Sequence, residues 1–120
     1  MKRFLPFAIG ILLLSCGKSD ELAPVITVDT PGDNQVFSGG QTVNVKATIT
    51  DNEGIHMVHL TVLDNTTGGH LVHFEEHYDG KSYELNKSFT VQAGRSYSIE
   101  IGSHDHADNA ATKELTVSAN

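Results

Sequence analysis

The sequence predicts an all-β fold, a single antiparallel β-sandwich of seven to eight strands in a Greek key. Three observations predict it. From Pro24 onward apolar and polar residues alternate with period two, the repeat of a half-buried strand. Clusters of Gly, Pro, Asn and Asp interrupt that alternation about every eight to twelve residues, the spacing of a sandwich. No segment carries sustained helical periodicity with caps, and no internal repeat of about 20–50 residues is visible, so bundles and solenoids are excluded.

The elements follow in order. "PVITVDTPGD" is a first strand closed by a Pro-Gly turn, and "QVFSGGQ" is a short edge piece ending in Gly-Gly. "TVNVKATITD" turns Val43, Val45, Ala47 and Ile49 inward, and "DNEG" turns the chain. "IHMVHLTVLD" sets Val58, Leu60 and Val62 on one face, followed by the turn "NTTGG". "HLVHFEEHY" places Val72 and Phe74 together, and "DGK" leads into "SYELNKSFTV" with Tyr83, Leu85, Phe89 and Val91 in phase. "QAG" turns into "RSYSIEIGSHD", where Tyr97, Ile99 and Ile101 share a face, and "TKELTVSA" closes the domain.

Residues 1–15 read as a signal peptide: a basic start at Lys2 and Arg3, then an apolar run too short to span a bilayer. Leu13-Leu14-Ser15-Cys16 resembles a bacterial lipobox, which implies that Cys16 is lipidated and becomes the new N-terminus. Cys16 is the only cysteine of the chain, so no disulfide partner exists and the core alone must hold the domain. Residues 16–23 form a tether, and residues 24–120 form one domain. Ser19, Asp20 and Glu21 resemble the acidic export signal of Bacteroidetes-type surface lipoproteins. The expected location is therefore the outer membrane, lipid-anchored and facing the cell exterior. Without Lys2 and Arg3 the chain has six Lys and Arg against fifteen Asp and Glu, a net charge of −9. Such a domain repels phosphate backbones, so nucleic acid is excluded as a partner; it attracts cations.

"ITDNEGIHMVHLTVLD" and "DHADNAATKELTV" resemble the two diagnostic stretches of bacterial Ig-like surface modules, and the likeness runs from Pro24 to Val117. It is similar above all to His-rich Ig-like lipoproteins of Bacteroidetes type. The resemblance implies a fold and no particular activity, because such modules serve as spacers, adhesins and binding domains alike. Two positions depart from the pattern: His106 replaces the usual Asn of the last turn, and Asp108 replaces its usual Gly.

Seven histidines stand at 56, 59, 70, 73, 77, 104 and 106. Strand parity turns His59, His73, His77, His104 and His106 outward, with Glu75 and Glu100 on the same side. In Ig-like topology their strands are C, C′ and F, adjacent in the order C′–C–F, so these side chains share one solvent face. Neighbouring strands bring Cβ atoms to ~4.5–5.5 Å, within reach of a common ion. Imidazole and carboxylate without thiolate suit Zn²⁺ or Cu²⁺, and Ni²⁺ by the same chemistry. His56 and His70 read as bystanders beside turns. The plainer alternative is a polar face that merely tolerates histidine, and one β-bulge would flip part of a strand.

A second group, Asp51, Asn52, Glu53, Asp105, Asp108 and Asn109, lies in the B–C and F–G turns, which meet at one apex. Its oxygens suit calcium, although Asp and Asn also cap turns through backbone N–H groups. Phosphate-binding loops, His-Glu-x-x-His spacing and a nucleophile motif are absent, so no catalytic residue is assigned and an enzyme is not expected. Two functions remain: a binding module with a metal on the outer C′–C–F face, or a structural or adhesive domain that docks on protein or glycan.

Overall fold

In the computed structural model residues 21–120 are described; Cys16, Ser19, Asp20 and the apolar leader lie outside them. Thr42–Asp64 is one strand where the sequence suggests two, and so is His70–Thr90. The strands are β1 (Val25–Thr30), β2 (Gln35–Phe37), β3 (Thr42–Asp64), β4 (His70–Thr90), β5 (Ser96–Asp105) and β6 (Ala110–Ala119). The bends at "DNEG" and "YDGK" redirect β3 and β4 without breaking their ladder, which resumes after a register shift between Thr50 and Ile55. Six strands therefore supply the eight expected segments.

Each long strand serves both layers of the sandwich. The first half of β3 pairs with β1 and with the second half of β4. Its second half pairs with the first half of β4 on one side and with β5 on the other, and β6 and then β2 extend that sheet. The C′–C–F–G order expected from the resemblance is thus β4–β3–β5–β6. β2 joins β6 in parallel, so the chain crosses from one sheet to the other at the Pro-Gly turn.

The inward residues are those that the alternation selects. Val43, Val45, Ile49, Val58, Leu60, Val62, Ile99 and Ile101 are fully buried, each side chain contributing ~1.5–3 kcal/mol. Tyr97 is buried as well, and its hydroxyl accepts the Gln92 backbone N–H at 2.8 Å. This is a tyrosine corner, which ties the start of β5 to the connection from β4. With no disulfide, that corner helps to join the two layers.

The register also sorts the ends. β1 begins at Val25 opposite Thr50, beside the β3 bend. The β4 bend and the β5–β6 turn lie at this same end, since Ile55 faces both Gly80 and Asp105. Residues 21–23, the described part of the segment that the sequence suggests is a tether, therefore enter at the end that carries Asp51, Asp79 and Asp105. The 64–69 and 91–95 connections lie at the other end.

Candidate functional site

A bulge in β3 builds the most unusual feature of the molecule. Ile55 and Met57 both pair with β5, but the register shifts between them, and His56 is the extra residue. Ile55 is fully buried and anchors the bulge. Met57 has His77 of β4 opposite it on one side and His104 of β5 on the other. His56 therefore stands between two histidines of neighbouring strands, and the β5–β6 turn delivers a third. Its ring centroid lies 5.3 Å from His77, 5.3 Å from His104 and 4.8 Å from His106.

The support beneath this cluster is rigid. The Tyr78 hydroxyl donates to the Ser82 carbonyl at 2.7 Å across the β4 bend, and Gly80 leaves room for the Tyr78 ring. Tyr83 packs edge-on against Tyr78 and donates to Glu76 at 2.6 Å. Burial and that carboxylate push the Tyr83 hydroxyl up to about 12. On the other strand, Gly54 has φ near +133° and comes close to the His106 ring, where a side chain would be strained.

The remaining predicted ligands lie elsewhere on the same face. His59 faces Glu75 on β4 and Gly102 on β5, one row along from Met57. Its ring covers Gly102 and its Nε2 is 3.6 Å from Glu100. His73 faces Thr61 and contacts His70 at 6.1 Å between centroids. The five outward histidines do not converge as one set: His77, His104 and His106 come together, whereas His59 and His73 do not. His56, read from the sequence as a bystander, is the residue that joins them. The physical reason is the bulge, which shifts the parity of β3 by one residue, and parity counted along an unbroken strand does not show it.

The carboxylates of the turns have a structural task. Asp51 Oδ2 accepts the N–H groups of Glu53 at 3.0 Å and Gly54 at 2.9 Å, while its buried Oδ1 has no hydrogen-bond partner among the described residues. Asp105, fully buried, accepts the N–H groups of Ala107 and Asn109, each at 2.9 Å, and the Asn109 side-chain amide at 3.0 Å. Asp108 takes the left-handed conformation, φ 65°, at the position where the resemblance expects Gly. Asn52, Glu53 and Asp108 are exposed. Glu75 is exposed opposite His59, and Glu100 approaches only His59. As the side chains stand, no group of three or more His, Cys, Asp or Glu among the described residues could hold a metal ion.

Sheet order, tyrosine corner and the crossing of β1–β2 between layers define an Ig-like sandwich. Residues 24–119 match the bacterial Ig domain family, and the chain belongs to it. Fibronectin(III)-like modules of Clostridium thermocellum CbhA share 20% identity and a TM-score of 0.52 over 81% of this chain and 46% of theirs. The chain thus spans under half of that structure's length. A CARDB domain from Pyrococcus furiosus, solved in complex with di-metal ions, shows 12% identity and a TM-score of 0.51, covering 86% of this chain and 100% of that one. A PKD domain of an M14-like peptidase from a Thermoplasmatales archaeon has 18% identity and a TM-score of 0.49 over 80% of this chain and 91% of that one. No curated protein matches. These likenesses concern the fold.

Proposed function

We propose that this protein is a non-enzymatic, lipid-anchored Ig-like binding module of the outer membrane, facing the cell exterior, which takes a transition metal such as Zn²⁺ or Cu²⁺ through its outward histidines. The observation that carries the reading is the contact of His56 with histidines from β4, β5 and the β5–β6 turn. The bulge thus brings one imidazole into contact with three others from separate segments of the chain. The anchor reading rests on the lipobox at Cys16. Eight residues separate Cys16 from Pro24, a reach of at most ~28 Å, and the tether enters beside the histidines. The histidine end is then the membrane-facing end of the domain. The di-metal ions of the archaeal CARDB domain show that a sandwich of this shape can carry metal, without assigning any residue here.

The anchor is tested by labelling cells with a lipid precursor. Wild-type protein should take up label and sediment with membranes; Cys16→Ser should do neither. A membrane-bound, unlabelled wild type would overturn the anchor, and protection from protease added to intact cells would overturn surface exposure. Metal binding is tested by titrating the detergent-solubilised chain with Zn²⁺ and Cu²⁺; affinities weaker than ~0.1 mM for both would end that reading.

A second reading has the family in its favour: a structural or adhesive domain with no metal, bound to protein or glycan. Large apolar side chains such as Val36 and Leu71 stand exposed. Binding to a glycan or protein array that survives a chelator and loss of the histidines would support it.

A further inference from the structure

We infer that His56, His77, His104 and His106 together form a four-histidine zinc site, and that His59 and His73 are not ligands. The inference rests on the metal-binding reading above and names its ligands. A tetrahedral ion holds imidazole nitrogens at 2.0–2.1 Å, which places the ring centroids of any two ligands ~5 Å apart. Of the six pairs that four ligands make, the three that include His56 stand at 5.3, 5.3 and 4.8 Å. The His56 ring is inclined to those of His77, His104 and His106 at 71°, 45° and 59° and stacks on none of them.

The backbone under each ligand is held in place. His77 and His104 are tied to Met57 by the ladder, His56 sits on the bulge between them, and Asp105 caps the turn that carries His106. To hold an ion, the side chains must rotate so that the ring nitrogens turn inward. His77 and His106 are exposed and free to make that rotation, and a shallow cavity lined by His56, His77, Tyr78, Asp79 and His106 opens to solvent beside them. An ion can enter there. Asp79 Oδ1 already lies 3.4 Å from His106 Nε2, so a carboxylate is at hand to accept a ring N–H and orient that ligand. Four nitrogens without thiolate match Zn²⁺, with Cu²⁺ and Ni²⁺ as competitors.

His59 offers a contrast. Its ring fills the space over Gly102 that a Cβ would need, and Glu100 is its neighbour. Leaving that position would uncover Gly102 with no gain that the structure shows.

The test is calorimetric titration of the full-length chain in detergent with Zn²⁺ after chelator treatment. Wild type should bind one ion per chain. His56→Ala and His106→Ala should each weaken binding by about tenfold or more, while His59→Ala and His73→Ala should stay within about twofold. Cobalt in place of zinc should give the intense visible bands of a tetrahedral site. Melting each variant in chelator checks folding; if His56→Ala does not fold, His106→Ala on the exposed turn decides. Binding that survives His106→Ala but falls with His59→Ala would overturn this ligand set and leave metal binding standing. No zinc binding by wild type would overturn both.

Discussion

The two ends of the sandwich are built to different purposes. At the end away from the tether, the polar groups of the connections close the fold, and beside them His70 contacts His73. Asp64, 4% exposed, accepts the N–H groups of Thr66 at 2.8 Å and Thr67 at 3.3 Å and pairs with Arg95 at 2.6 Å. Asn65 reaches across to Ser96 and Ser98, and the Tyr97 corner lies beside them. At the tether end, Asp51 and Asp105 cap their turns in the same manner, but above them imidazoles pack ring against ring. The first end carries a pair of histidines in contact, His70 and His73, whereas at the second His56 meets three.

The largest effect expected from breaking this contrast lies at Tyr97. Tyr97→Ala should cost ~3–5 kcal/mol in urea unfolding, from a lost buried ring together with its hydrogen bond. Tyr97→Phe, which removes only the bond to Gln92, should cost ~0.5–1.5 kcal/mol. The contrast would fail if histidine replacements at the tether end destabilised the metal-free domain as much.

Next comes the ion. Zinc at about 100 times its Kd should stabilise the folded chain by ~2.7 kcal/mol, read as a rise in melting temperature. His56→Ala should remove that rise yet shift the metal-free stability by only ~0.5 kcal/mol.

A smaller effect comes from acid. Burial pushes the Asp64 carboxyl up, but the Thr66 and Thr67 N–H groups and the Arg95 guanidinium outweigh it and hold it below its ordinary 3.8. The stabilisation from its ionised form is complete above 3.8 and is lost as pH falls through the lower folded value. Melting curves taken downward from about pH 5 should show the loss, and Asp64→Asn should flatten that limb while lowering stability at neutral pH.

The smallest concerns Tyr83, beneath the histidine end. Phenolate absorbance should show one tyrosine ionising near 12, and Glu76→Gln should bring it down toward 10. Because the folded value is raised, its contribution to stability is full below 10 and is lost as pH rises through about 12.

Much of the fold was legible in the chain itself. Alternation selected Val43, Val58, Leu60, Ile99 and Ile101 as core, and all are buried. The turn chemistry marked every reversal, although "DNEG" and "YDGK" bend strands and do not end them. Such bends share their composition with true turns, so only the ladder on either side tells them apart. Tyr97 was read as core, and the fuller signal, a tyrosine five residues after the Val91-Gln92 corner, went unused.

The candidate site was half legible. His77, His104 and His106 could be placed on one face because parity and strand order are local and topological rules. His56 could not, because a bulge depends on how β3 must shift to satisfy β4 and β5 at once. The sequence by itself determined the all-β class, the single core without a disulfide, the acidic surface and the presence of outward histidines, since period, composition and turn residues act over a few positions. Only the tertiary structure decided which histidines meet and at which end the chain enters, since those depend on register between strands that lie tens of residues apart.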